Sequence, residues 1–177
     1  MRRKTTLKHT PDATKSKSRG IKDKSNTRIL RKVKQPSKST VKGKAWREFS
    51  KYIRLRDALK TTGTLTHVKC ITCGKLLEVS FCDAGHFVSR RYNATLFDER
   101  NVNTQCRYCN RFLDGNLLEY RRQIVKLYGE GADIELEDKA TEIKKYSVED
   151  LTNLEKEFKM KVEKLIGGTK SERIIKI

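Results

Sequence analysis

Four cysteines in two pairs, Cys70-Ile71-Thr72-Cys73 and Cys106-Arg107-Tyr108-Cys109, carry the most specific chemical signal in the sequence. Each Cys-x-x-Cys pair closes a tight knuckle whose two sulfurs can approach one ion. Two such pairs supply the four thiolates of a tetrahedral structural zinc site. Cys73 and Cys106 are separated by 32 residues, more than the ~15 to 20 of a simple four-cysteine motif, so something is folded between the knuckles. That insert contains Asp83-Ala84-Gly85-His86 and, five residues before Cys106, Asn101. Directly after Cys109 stands Asn110, a metal-competent side chain. The signal therefore combines a histidine in a zinc-pinned hairpin with an asparagine on either side of the second knuckle.

The insert reads as two short strands, Leu76 to Cys82 and Gly85 to Ser89, with His86 near their junction, followed by Arg90, Arg91 and a polar loop. Cys82, the fifth cysteine, reads as a buried structural thiol. Ahead of the first knuckle, Ala45 to Leu59 has the period of a helix, with Trp46, Phe49, Tyr52 and Ile53 on one face. Trp46 and Phe49 are expected to cover the zinc module. Thr61-Thr62-Gly63-Thr64 breaks that helix and leads into a first strand that includes His67 and Cys70. His67 is expected at the surface or in a hydrogen bond rather than on the metal.

After Asn110 the chain reads as helix, interrupted or restarted around Asp114-Gly115-Asn116 and ending near Gly129 and Gly131. Arg121 and Arg122 on that helix are candidates for phosphate contact or ordinary solvated charges. A last helix starts at Ser147-Val148-Glu149-Asp150, a capping-box pattern with Ser147 as N-cap. Its stripe of Leu151, Leu154, Phe158, Val162 and Leu165 runs to Gly167-Gly168. That stripe is expected to pack back on the core, with a homodimer as the alternative.

The order His86, Asn101, Asn110 around two Cys-x-x-Cys pairs resembles the HNH endonucleases, whose ββα-metal fold sets a general base on a hairpin and metal ligands against the following helix. More narrowly, Asp83-Ala84-Gly85-His86-Phe87, Phe97-Asp98-Glu99-Arg100-Asn101-Val102-Asn103, Gln105-Cys106, Cys109-Asn110 and Gly115-Asn116 resemble the NinG family, phage recombination proteins also called Rap. Members are described as structure-specific endonucleases acting on branched DNA. The resemblance runs from about Trp46 to about Gly129.

That resemblance implies His86 as general base, Asp83 and Asn110 as ligands of a catalytic divalent ion, and Asn101 as the residue that holds the hairpin loop. The chemistry is coherent. Phosphodiester hydrolysis needs an activated water and a cation that neutralises charge developing on the phosphate. An imidazole of ordinary pKa near ~6.5 can take the water's proton at physiological pH. One carboxylate and one amide oxygen suit Mg2+ or Mn2+, while zinc prefers the thiolates. Two positions depart from the commoner HNH pattern. Gly85 stands where an acid usually precedes the histidine, although Asp83 shares a strand face with position 85. Leu113 stands where a lysine is common, which leaves Arg111, Arg90 and Arg91 as candidate phosphate-binding cations.

Net charge is +19, from 41 Lys and Arg against 22 Asp and Glu. Met1 to Lys44 alone has 16 basic and 2 acidic residues. With no sustained apolar period, this tail is expected to be disordered when free and to grip phosphates through counterion release. No stretch approaches the ~18 apolar residues of a membrane span, so the chain is expected in the cytoplasm of a bacterial host cell, where cysteines serve metals rather than disulfides.

The organisation expected is α+β: a disordered basic DNA-binding tail over 1–44, a zinc-stapled ββα-metal (HNH-like) core with flanking helices over 45–130, and a helical extension over 131–177. The function expected is metal-dependent cleavage of DNA, with branched recombination intermediates such as Holliday junctions or D-loops as the substrates the resemblance implies. A recombination or single-strand-binding protein is a further partner left open. The rival reading is a non-catalytic zinc-stapled nucleic-acid-binding protein.

Overall fold

The computed structural model describes residues 35–174. The expectations for most of the basic tail, Met1–Lys34, lie outside the described residues.

Helix α1 (Lys38–Thr62) starts where Ser37 caps it, the serine oxygen accepting from the Thr40 amide at 3.2 Å. It ends at Gly63, whose φ of 67° is the left-handed conformation that glycine adopts without a Cβ penalty. The helix begins seven residues before the expected start at Ala45, and Lys38–Lys44 belong to it rather than to a tail. The reason lies in Val41, which extends the four-residue spacing of Ala45, Phe49 and Ile53 by one turn, all four being buried. Lysines at 38, 42 and 44 obscure that turn in the sequence.

The stripe of α1 packs against α5 (Val148–Ile174), whose Leu151, Leu154 and Phe158 share its core cluster. Phe49 and Phe158 meet edge-on, with ring centroids 4.7 Å apart. The capping box at the start of α5 is formed: the Asp150 amide donates to Ser147 Oγ at 3.0 Å, and the Ser147 amide donates to Asp150 Oδ2 at 2.7 Å. The apolar stripe thus finds its partner within the chain, and α5 continues through Gly167-Gly168, where it was expected to stop.

The strands pair differently from expectation. Strand β1 (His67–Lys69) runs antiparallel to β2 (Leu76–Glu78), because the first knuckle turns the chain through Gly74, φ 69°. A single 3-10 turn, Val79–Phe81, then leads into β3 (Cys82–His86), which pairs with β4 (Val102–Cys106). The two segments of the insert therefore do not form a hairpin with each other, and His86 is the last residue of β3, opposite Val102. What joins β3 to β4 is a long loop carrying the short helix α2 (Asn93–Leu96). After β4 come a π-helical turn over Tyr108–Phe112, a break at Asp114-Gly115-Asn116 with φ positive throughout, α3 (Leu117–Tyr128) and α4 (Ala132–Ala140). The described part is a mixed α+β fold of helices around two small sheets.

The far edge of β4 is closed by side chains of α1. Asp57 Oδ2 accepts from the Thr104 amide at 2.7 Å, and the buried Arg56 donates to the carbonyls of Glu99 and Val102 at 2.8 and 3.1 Å. On the β3 side the hydroxyl of Tyr120, from α3, stands between the strands. It accepts from the Asn103 amide at 2.9 Å and donates to the Gly85 carbonyl at 2.8 Å. Every backbone group so engaged is one that burial would otherwise leave unpaired.

Candidate functional site

The two knuckles converge. The sulfurs of Cys70, Cys73, Cys106 and Cys109 all lie within 4.8 Å of one another, and Cys73 and Cys106 are 3.8 Å apart. A tetrahedron with Zn–S bonds of ~2.3 Å has edges of ~3.8 Å, so this set fits a four-thiolate zinc site. All four are free thiols, with Cys73 exposed and the others buried. Burial raises the Cys70 thiol, but the Thr72 hydroxyl at 3.3 Å and nearby backbone amides outweigh it and bring Cys70 down to about 7. Cys82 stands apart from this set, buried, its thiol donating to the Glu78 carbonyl at 3.5 Å and pushed up to about 11 by that burial. His67 is exposed and bonds Thr66 Oγ1 at 3.0 Å.

A second group of polar side chains forms on the face of β3 that carries Asp83 and Gly85. Asn110, one residue past the second knuckle, donates from Nδ2 to Asp83 Oδ2 at 3.0 Å. Arg111 grips the same carboxylate with two nitrogens, at 2.7 and 2.8 Å. Burial raises the Asp83 carboxyl, but these bonds from Arg111 and Asn110 prevail and hold it below the usual carboxylate range. Asn110 comes here because its neighbour Cys109 converges with Cys70, beside β1, in the four-cysteine cluster.

His86 leaves the opposite face of β3, toward α1. Its ring stacks on Trp46 at 4.9 Å and 19°, and Nε2 lies 3.2 Å from the Leu96 carbonyl. A carbonyl oxygen only accepts, so Nε2 carries the proton and Nδ1 keeps its lone pair. Burial pushes the imidazole down to about 4, with the Arg90 charge adding to the effect against the Leu96 bond. Trp46 therefore covers His86 rather than the zinc module for which it was expected. Lys42, Trp46, Arg90 and Leu96 line a cleft on this side.

Asn101, fully buried, ties both ends of the loop between β3 and β4. Its Oδ1 accepts from the Val88 amide at 2.7 Å, and Nδ2 donates to the carbonyls of Val88 and Thr95, each at 3.0 Å. The Thr95 bond sits one residue from the Leu96 carbonyl that holds His86, so Asn101 and His86 are linked through the loop.

The remaining candidate cations are spread out. Arg90 and Arg91 are exposed in the loop. Arg121 pairs with Asp133 and Glu137 of α4, and its guanidinium lies 5.3 Å from the Phe87 ring centroid. Arg122 bonds Glu119 at 3.1 Å on its own helix. Sequence reasoning gave no role to Gln105, to the Arg56–Asp57 pair or to the Leu96 carbonyl. For the carbonyl no signal exists, because any residue has one. For Arg56–Asp57, an adjacent opposite-charge pair within a helical apolar stripe was the available clue.

A family model described as "Bacteriophage Lambda NinG protein" matches residues 1–167. Over 97 residues the chain is 33% identical to protein ninG of Escherichia phage 933W, covering 54% of this chain and 47% of that protein. It is 32% identical over 97 residues to protein ninG of Escherichia phage lambda. The protein of the same name from Salmonella phage P22 is 41% identical over 69 residues, 38% of this chain and 34% of that one. The matches thus span less than half the length of these relatives, and no solved structure matches the chain. With its motifs inside a family match covering nearly the whole sequence, the chain belongs to the NinG family of bacteriophage proteins.

Proposed function

We propose that this chain is a metal-dependent endonuclease of the HNH type that hydrolyses phosphodiester bonds in branched DNA such as Holliday junctions or D-loops. The observation that carries the reading is the 3.0 Å bond between Asn110 and Asp83, which joins an amide and a carboxylate from distant parts of the sequence beside the strand that ends in His86. The pair β3–β4, the turn bearing Asn110 and then α3 form the ββα succession that such a site requires.

Asp83 and Asn110 would hold Mg2+ or Mn2+ through oxygen, a donor set that hard ions favour over zinc. When bound, that ion neutralises charge on the scissile phosphate. His86 supplies the base. Its Nε2 is committed to Leu96, so Nδ1 is the atom that accepts the water's proton. Burial keeps the ring neutral throughout the physiological range. A phosphate arriving in the cleft beside Arg90 raises the ring's basicity, because nearby negative charge favours the imidazolium. His86 and Asp83 leave opposite faces of β3, at its last and second residues, so a phosphate that meets both has to reach around the strand. Asn101 acts as a positioning residue through the loop that presents Leu96. Arg111, exposed and bonded to Asp83, and Arg90 are the cations placed to contact phosphate.

The test is cleavage of a labelled four-way junction and a matched linear duplex in Mg2+ or Mn2+, comparing wild type with His86→Ala at equal DNA binding. The expected result is metal-dependent cutting of the junction by wild type and at least a hundredfold less by the variant. Binding of both substrates with no cutting in either metal overturns the nuclease and favours a zinc-stapled binding module.

A further inference from the structure

Gly85 directly precedes His86, and the space its side chain would fill is already taken. A Cβ built there falls 2.0 Å from Gln105 Oε1, 2.9 Å from Gln105 Cδ and 3.0 Å from Asn110 Oδ1. Gln105 reaches this place from β4, where it pairs with Asp83, and it is fully buried. Its amide has one permitted orientation. Nε2 donates to the Gly115 carbonyl at 2.7 Å, and a flipped amide would set oxygen against oxygen there. Oε1 therefore faces Gly85 and Asn110, and among the described residues it has no hydrogen-bond partner. Such an orphan is rare in a native fold and points to a group that protein atoms do not supply.

Asn110 is oriented by the same logic. Its Nδ2 is spent on Asp83 Oδ2, which turns Oδ1 toward the same point beside Gly85. Two amide oxygens thus converge next to the Asp83 carboxylate, with neither sulfur nor imidazole among the donors; the exposed Arg111 guanidinium, which bonds that carboxylate at 2.7 and 2.8 Å, must swing aside for a cation to share it. Neutral and anionic oxygens of this kind suit a hard divalent cation.

We propose that Gln105 Oε1 is a third protein ligand of the divalent cation, beside Asp83 and Asn110, and takes the place of the carboxylate that position 85 lacks. This rests on the reading of Asp83 and Asn110 as that ion's ligands. Gly85 is then required, because any side chain there displaces the amide. The zinc knuckle helps set the ligand's direction: Thr72 Oγ1 lies 3.3 Å from Cys70 Sγ and 3.4 Å from Gln105 Nε2.

The experiment is Mn2+ binding to the zinc-loaded full chain by titration calorimetry, with free Mn2+ followed by electron paramagnetic resonance. Wild type is compared with Asp83→Asn, Gln105→Met and Gly85→Ala, each checked for zinc content and circular dichroism. Asp83→Asn, Gln105→Met and Gly85→Ala are expected to weaken Mn2+ at least tenfold. Loss of binding in Asp83→Asn with wild-type affinity in Gln105→Met and Gly85→Ala overturns the Gln105 ligand and leaves the cation site standing. Wild-type affinity in Asp83→Asn overturns both. Should Gln105→Met fail to fold, Gly85→Ala decides, and wild-type affinity there refutes the assignment.

Discussion

Replacing Trp46 by alanine uncovers His86 and should restore its ordinary titration. The indole lies 4.9 Å from the imidazole and nearly parallel to it, and burial is the largest cause of the ring's descent to about 4. Against 6.5 for the unfolded chain, that shift corresponds to about 3 kcal/mol at ~1.36 kcal/mol per tenfold. The sign follows from proton counting. Between pH 4 and 6.5 the unfolded chain binds a proton that the folded chain refuses, so stability rises with pH across that window. The contribution is complete above 6.5 and lost progressively as pH falls to 4.

His86→Gln cannot titrate, so the difference between its urea-unfolding curve and that of wild type at each pH isolates this term from the carboxylates. Imidazole carbon-bound proton resonances give the midpoint directly, His86 being identified by its loss in the variant. In Trp46→Ala the His86 midpoint should move up toward 6.5 and the window should narrow. A wild-type midpoint near 6.5, or a wild-type curve parallel to that of His86→Gln, would refute the reasoning that Trp46 and the surrounding core keep this ring neutral.

Cys106→Ser should lose zinc and unfold the module, since structural zinc contributes ~10–16 kcal/mol in zinc-finger peptides, whereas His86→Ala should keep both zinc and its circular dichroism. Asn101→Ala removes all three loop bonds from a fully buried position and should cost about 3–5 kcal/mol in urea unfolding; a cost below about 1 kcal/mol argues that the loop is held by other contacts. Tyr120→Phe strips the hydroxyl that serves the Gly85 carbonyl and the Asn103 amide, with an expected loss of about 2–4 kcal/mol and faster amide exchange at Asn103. Phe158→Ala opens the contact between α5 and α1 and should cost about 3–5 kcal/mol; dissociation of a dimer without loss of monomer stability would be the contrary result.

The cysteine spacing, the capping box at Ser147 and the apolar stripe of α5 were legible because each is a local pattern with one physical cause: ligand geometry, amide satisfaction, helical period. The break after Asn110 was legible for the same reason, as Asp114-Gly115-Asn116 announces positive φ. Strand pairing was not. Leu76 could have paired forward or back, and the turn at Gly74 together with convergence of the cysteines sent β2 onto β1 and β3 onto β4.

The sequence by itself determined which atoms were available: four paired thiols, an imidazole beside a glycine, a carboxylate three residues before that imidazole and an asparagine after the second knuckle. Tertiary structure decided which of them meet. It put Asn110 on Asp83, Trp46 on His86 and the Gln105 amide into the space left by Gly85. It also drew Arg121 to Asp133 and Glu137. Those meetings depend on how the two cysteine pairs, α1 and the β3–β4 loop are closed over long sequence distances. No local period encodes such closure, because it comes from packing and from the need of each buried polar group for a partner.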